Sequence, residues 1–260
     1  EEMDLLEKFL QNGYLIIDLP KKSIIYEIIK LVEKNKNSLN DVFETSLFHQ
    51  KLEKIQKSIN LMGAREGLMK DMKFILSLLL KDNSFAVQNV VYLRGVRPNN
   101  KKNIAVEYLP MHRENFYCES YIDNQINVHF PVFNYNDLTA MTFIEKSHKF
   151  PDSKIILRKE DSKYSGVERF SKGHKLGLPY NPKIIKNIDE IGIPKRANCI
   201  PGQVMLFSTK LIHGGGSNES DEIRFSLDFG ILPISLMNLQ KKEHFAHYGN
   251  QNSHYSKLVV

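Results

Sequence analysis

The stretch "CIPGQVMLFSTKLIHGGGSNESDEIRFSLDF" (199–229) decides how the fold is read. "PGQVMLF" reads as a turn leading into an apolar strand, and that strand is expected to end near His213. Gly214, Gly215 and Gly216 follow the histidine directly, which allows close backbone packing and a sharp exit. Arg224 then begins another strand eleven residues on (224 − 213), with Ser226 on the same face two residues later. A histidine and an arginine placed this way invite a search upstream for further metal-capable side chains.

"MHRENFY" (111–117) supplies them. If this stretch is extended, His112 and Glu114 present an imidazole and a carboxylate on one face, with Arg113 facing away. Alone, His-x-Glu is a weak signal in a chain with nine histidines. Joined to His213 it becomes a set of two histidines and one carboxylate, which leaves three positions of an octahedral Fe(II) open. A bidentate 2-oxo acid and dioxygen fill those positions. The far carboxylate of such a co-substrate needs a cation, and the planar fork of Arg224 can meet it with two parallel hydrogen bonds. Ser226 adds a further donor.

Outward from these motifs, residues 1–84 read as mostly helical. "SIIYEIIKLVEKN" (23–35) places Ile24, Ile25, Ile28, Ile29 and Val32 on one stripe. From Phe85 the character changes to short β-rich runs: "FAVQNVVYLRGV", "NIAVEYLPMH", "QINVHFPVFN", "LTAMTFIEKS", "QVMLFSTKL" and "IRFSLDFGIL". Helices followed by many short strands predict a β-sandwich or barrel with helices on one outer face. We expect a single domain over 1–260, with a barrel core over 85–232 and a C-terminal tail over 233–260. Residues 150–196, rich in Lys, Gly, Pro and Ser, read as an insertion, either a lid or a surface excursion.

The four pieces "HRE", "FIEKSHK", "IPGQVMLFSTKLIHGG" and "RFSLDF", in this order, resemble the 2-oxoglutarate-dependent oxygenases of the phytanoyl-CoA dioxygenase-like superfamily. The resemblance spans about residues 85–232. Glu114 stands where that family more often has Asp, and "EK" replaces its usual "PG" before Ser147 and His148. The resemblance implies a mainly β fold with flanking α-helices, a double-stranded β-helix (jelly-roll) with N-terminal helices packed on it. It implies Fe(II) held by His112, Glu114 and His213, with 2-oxoglutarate held by Arg224 and Ser226. The reaction implied consumes 2-oxoglutarate and O₂ and releases succinate and CO₂. A carboxylate at 114 favours hydroxylation or another oxidation over halogenation, since related halogenases lack that ligand. The alternatives are a non-catalytic barrel, against which the retained metal and co-substrate positions count, and one holding a different metal, which has no need of Arg224.

Other residues carry weaker readings. Asn127 and Tyr108 are candidates to touch 2-oxoglutarate, as are His129 and Tyr92, although each also reads as an ordinary wall or core residue. His148 and Lys149 read as structural members of the "SHK" turn. His174, His244, His247 and His254 read as surface residues, Phe116 and Tyr117 could face a substrate, and Arg113 has no assignment. Hydrophobic and charged contents of 42% and 25% are those of a soluble globular protein. No apolar run approaches the roughly 20 residues of a membrane-spanning helix. The net charge of +6 comes from dispersed lysines with no basic-aromatic stripe, so no nucleic-acid partner is expected. A small-molecule substrate is expected, and the charge mildly favours an anionic, sugar- or nucleotide-linked one. The opening "EEMDLLEKFL" does not read as a signal peptide, and two cysteines, Cys118 and Cys199, give no disulfide framework. Both point to the cytoplasm. Oligomeric state leaves no mark in the sequence.

Overall fold

A computed structural model of the chain describes residues 2–40, 42, 44–99, 108–116, 124–158, 183–237 and 255–258. Two antiparallel sheets are stacked. The larger contains β1 (Tyr14–Asp18), β2 (Phe85–Gln88), β3 (Tyr92–Val96), β4 (Ile126–Phe133), β7 (Gln203–Ser208), β9 (Arg224–Pro233) and β10 (Tyr255–Leu258). Its order is β1-β7-β4-β9-β2-β10, with β3 also paired to β9. The smaller sheet has the order β6-β5-β8, from β5 (Thr142–Phe143), β6 (Lys195–Arg196) and β8 (His213–Gly214). Helices α1 (Glu2–Asn12), α2 (Ile25–Asn40), α3 (Thr45–Leu61) and α4 (Ala64–Leu80) precede most of the strands. Short helices α5 (Ile188–Ile191) and α6 (Ile234–Met237) follow later. This is the jelly-roll with flanking helices that the resemblance implies, one form of the sandwich or barrel that the strand pattern predicts.

Period-2 alternation gives the large sheet two different faces. Phe225, Leu227, Phe229 and Ile231 of β9, Val128, Phe130 and Val132 of β4, and Val204 and Leu206 of β7 share one core with the helices. Ile25, Ile28 and Val32 of α2 enter it fully buried, as does Leu68 of α4. The opposite face meets the small sheet through Met205 and Phe207, packed with Tyr135, Met141 and Phe143. Arg224, Ser226 and Asp228 share that inner face of β9. Apolar burial at about 25 cal/mol per Å² drives the helix-side contact, so an inner face bearing charges has to be explained by something other than stability.

The N-terminal region departs from the helical expectation in one place. "YLIID" forms β1 and pairs along its whole length with β7, Tyr14 opposite Phe207 and Asp18 opposite Gln203. A five-residue run with Tyr14, Ile16 and Ile17, of aromatic or β-branched type, gains more from a sheet edge than from a short helix. The expected strand through "QVMLFSTKL" to His213 is two strands: β7 ends at Ser208, and His213 opens β8 in the other sheet. Part of the expected 150–196 insertion belongs to the small sheet as β6, and part of the expected tail joins the large sheet as β10, antiparallel to β2. The run "NIAVEYLP" falls mainly outside the described residues, as do Cys118, Tyr117, His174, His244, His247 and His254. No described helix is long and apolar enough to cross a membrane.

Side chains of α3 satisfy the backbone of the segment it covers. Gln56 Oε1 accepts the N–H of Leu93 at 2.9 Å, and Asn60 Oδ1 accepts that of Val91 at 2.9 Å. At the start of α3, buried Arg97 donates to the Val42 carbonyl and the Thr45 hydroxyl, with its guanidinium over the Phe48 ring. Next to Phe48, burial first, and then the charges of Arg97 and Arg94, press His49 down from 6.5 to about 4. Between those two values the unfolded chain binds a proton at this position that the folded chain refuses. The contribution is therefore complete above pH 6.5 and is lost as pH falls towards 4. Urea unfolding at pH 7 and pH 5 should show a smaller difference for His49→Gln than for the unaltered protein. Equal differences would show that this imidazole is not a source of acid sensitivity.

Candidate metal centre

His112 and His213 are partners in a two-residue ladder. The N–H of each donates to the carbonyl of the other, at 2.9 and 3.1 Å. Residues paired this way project their side chains to one face, and the imidazole centroids lie 4.4 Å apart. So close an approach of two strands requires small residues beside the histidine. A Cβ at Gly214 would stand 2.9 Å from the Leu109 carbonyl oxygen, and one at Gly215 would stand 2.8 Å from Tyr108 Cβ. Gly216 turns the chain away at φ +68°.

The ring nitrogens are sorted by their neighbours. His112 Nδ1 lies 2.7 Å from the Pro110 carbonyl oxygen, and His213 Nδ1 lies 2.9 Å from that of Leu211. A carbonyl only accepts, so each Nδ1 carries a proton, and each Nε2 is the nitrogen turned towards the cluster. Such outer partners fix both the tautomer and the orientation of a metal-binding imidazole. Glu114 Oε1 is 3.2 Å from His112 Nε2 and 3.9 Å from His213 Nε2. One donor atom from each of these three residues falls within 4.8 Å of the other two, a group that could hold a metal ion. Burial first, then the charge of His112, holds His213 down to about 4, against the opposing pull of Glu114. At neutral pH the His213 ring is thus uncharged and open to a cation.

Glu114 reaches the cluster by a different route from the one expected. The "HRE" stretch is not a strand with ligands at i and i+2. His112 forms a single bridge, and Glu114 opens a 3₁₀ turn, Glu114–Phe116, with its N–H donated to the Thr209 carbonyl at 3.0 Å. The turn swings the carboxylate back over the imidazoles. Arg113, left without a role by the sequence, is fully buried. It pairs with Asp152 and donates to the carbonyls of Ser147 and Phe150. Ser147 Oγ accepts the N–H of Ile212, next to His213, at 2.8 Å. The turn at 147–152 therefore grips both candidate ligand segments. His148 joins it to α1, with Nε2 3.0 Å from the Leu10 carbonyl oxygen. Another tie runs from the N–H of Ile185 to the carbonyl of Met111 at 3.0 Å. Phe116 packs with Met111, Ile144, Ile185 and Ile212 beside the cluster.

Across from the histidines, Arg224 is buried, with Nη1 donating to the Gly215 carbonyl at 2.7 Å. Its Nε and the Ser226 hydroxyl are buried without a hydrogen-bond partner. Two orphaned donors on one strand face, one of them cationic, fit a carboxylate and would each cost energy if left bare. Tyr108 lies against Gly215, the residue whose carbonyl takes the Arg224 proton. Asn127, opposite Phe207 and Gly230 in the ladders, accepts from Gln125 Nε2 at 2.6 Å. Tyr92 and His129 face Asp228, a residue the sequence reading passed over.

Removing the Ser147 hydroxyl leaves the buried Ile212 N–H without its acceptor. Ser147→Ala should lower the free energy of unfolding by about 1–3 kcal/mol and weaken Co(II) binding, read by urea titration and by the visible Co(II) spectrum. Unchanged values for both would show that this turn does not brace the cluster.

No protein-family model matches the chain, and no curated protein matches its sequence. Solved structures do match its shape. AviO1 from Streptomyces viridochromogenes Tue57 superposes with a TM-score of 0.55 at 12% identity, over 89% of this chain and 95% of that one. EctD from S. alaskensis, solved with 2-oxoglutarate and 5-hydroxyectoine, gives 0.54 at 12% identity, over 89% and 76%. The epimerase SnoN in complex with Fe3+, alpha ketoglutarate and nogalamycin RO gives 0.50 at 14% identity, over 89% and 83%. At these identities the likeness is one of architecture, and the chain shares the double-stranded β-helix fold of these structures.

Proposed function

We propose that the protein is an Fe(II)- and 2-oxoglutarate-dependent oxygenase that oxidises a small molecule, by hydroxylation in the simplest case, with release of succinate and CO₂. The observation that carries this reading is a conjunction. A cluster of two imidazoles and one carboxylate shares the barrel interior with two buried donors, Arg224 Nε and the Ser226 hydroxyl, that have no partner. The donor set suits iron of this class, which takes two histidines and a carboxylate on one face. EctD and SnoN, whose fold the chain shares, were solved with the co-substrate, and SnoN with iron as well.

In this reading His112 Nε2, His213 Nε2 and Glu114 Oε1 hold the metal. Arg224 Nε and the Ser226 hydroxyl hold the distal carboxylate of 2-oxoglutarate, with Asn127 and Tyr108 as neighbouring contacts. Bound at this cluster, Fe(II) with 2-oxoglutarate and O₂ supplies an oxidant able to break an unactivated C–H bond. The protein's own part is to hold the reactants in line and to keep bulk water out. Backbone carbonyls at Pro110 and Leu211 keep both rings turned inward, and the apolar side chains around Phe116 and Ile212 shield that side of the cluster.

Purified without oxygen and reloaded with Fe(II), the protein should consume 2-oxoglutarate when O₂ is admitted, and His213→Ala should abolish consumption. Arg224→Gln should raise the KM for 2-oxoglutarate about 10- to 100-fold, the loss of a charge-assisted pair, while metal content stays unchanged. Metal-dependent turnover without any 2-oxo acid, or an unaltered KM, would sink the assignment.

A further inference from the structure

Arg113 stands between the two candidate ligands of "HRE", at the point where the chain changes conformation. Before it, His112 lies in the bridge to His213; after it, Glu114 opens the 3₁₀ turn. That turn is weak on its own. It has three residues, and the bond that closes it, from the N–H of Phe116 to the Arg113 carbonyl, is 3.4 Å long. The N–H of Glu114 is tied to the Thr209 carbonyl, but a single tie leaves the segment free to rotate about it. A glutamate carboxylate stands well out from its backbone, so a small rotation there becomes a large displacement at Oε1. Yet Oε1 sits 3.2 and 3.9 Å from the two imidazole nitrogens.

The Arg113 side chain supplies a second tie. Its guanidinium is fully buried, with Nη1 on the Asp152 carboxylate and Nη2 on the carbonyls of Ser147 and Phe150, the latter at 2.9 Å. Its central carbon lies 6.0 Å from the centroid of the Phe116 ring, at the far end of the turn. All three hydrogen-bond partners belong to residues 147–152, whose Ser147 hydroxyl accepts the N–H of Ile212. Just before that stretch, the N–H of Ile144 meets the Ile212 carbonyl at 2.9 Å. One side chain thus refers the segment carrying His112 and Glu114 to the stretch that holds the neighbour of His213. Stability is a poor account of a guanidinium here, since apolar residues of like volume often serve as well as a buried charge. A planar fork with five donors fixes direction as well as distance.

We propose that Arg113 is a positioning residue that aims the Glu114 carboxylate at the two imidazoles, and so makes the cluster a three-ligand site instead of a two-ligand one. The inference rests on the reading of His112, Glu114 and His213 as the metal site, and on nothing about co-substrate or substrate. The imidazoles do not depend on this fork. Their mutual backbone bonds and their Nδ1 contacts to Pro110 and Leu211 already fix them. Loss of the fork therefore releases the carboxylate and leaves the histidine pair.

The test titrates the full chain with Co(II), reading affinity and the visible spectrum. Arg113→Met should weaken Co(II) binding about 10- to 100-fold, and its spectrum should move to that of Glu114→Ala. Joined to Glu114→Ala, Arg113→Met should weaken binding no further, because the ligand it aims is already gone. Arg113→Lys should recover part of the affinity. Leu68→Ala, which opens a cavity in the helix-side core, reports lost stability alone and should keep the unaltered spectrum. Should Arg113→Met fail to fold, Asp152→Asn carries the same test at a half-exposed side chain, with a smaller spectral change in the same direction. Unaltered spectra in Arg113→Lys and Asp152→Asn overturn the proposal. So does an equal loss from Arg113→Met with and without Glu114, or the same spectral change in Leu68→Ala, either of which makes Arg113 a general support of the fold. An unaltered protein that binds no Co(II), or whose spectrum ignores Glu114→Ala, is a different failure, since it removes the metal-site reading itself.

Discussion

Everything at the centre of this molecule depends on one pair of backbone hydrogen bonds, exchanged between His112 and His213. The pair fixes two imidazoles at a set separation before any side chain makes a choice. It also explains Gly214 and Gly215, because the 108–111 segment runs where their side chains would be. Once the two segments are joined, the Thr209 carbonyl catches the N–H of Glu114, and the carboxylate arrives over the rings. The cluster is therefore a property of main-chain geometry, with side chains added to positions the backbone has already defined.

The large sheet keeps two kinds of chemistry apart. Its helix-facing side is a continuous apolar contact, and it supplies the free energy that holds the layers together. Its inner side carries Arg224, Ser226, Asp228 and His129, groups that cost energy to bury and are tolerated because the outer face offsets them. His129 and Asp228 meet most of that cost by pairing with each other, with Tyr135 and with Arg94. Arg224 Nε and the Ser226 hydroxyl have no such partner, and that difference separates a finished internal network from a strand face with spare donors.

The metal-capable residues and the arginine were legible in the sequence because their chemistry is constrained by residue type and order. Their local conformations were not. An i, i+2 pair suggests a strand, but nothing in "HRE" announces that Glu114 turns back through a 3₁₀ segment to the Thr209 carbonyl. "QVMLFSTKL" is apolar throughout, so the break that moves His213 into the other sheet leaves no periodic signal. "YLIID" is too short to stand out among helices, and its partner β7 lies far along the chain. Asp228 was missed for a related reason. A polar residue in a strand means little until its partner is known, and His129 is 99 positions away. A search for inward-facing charges two residues apart on the Arg224 strand would have found it.

The excursion between Phe150 and Ile185 leaves and re-enters the fold beside the same histidine. Arg113 holds its start through Asp152 and Phe150, Met111 holds its return through Ile185, and Leu157 bridges to Ile185 just outside. A loop whose two ends are already pinned together has met its closure entropy at the base. Lengthening it then costs only about (3/2)RT times the logarithm of the change in length. The chain beyond that clasp can gain, lose or exchange residues at small energetic cost while His112 and Arg113 stay where they are. The architecture thus lets the chain inserted there change in length without disturbing the atoms of the cluster.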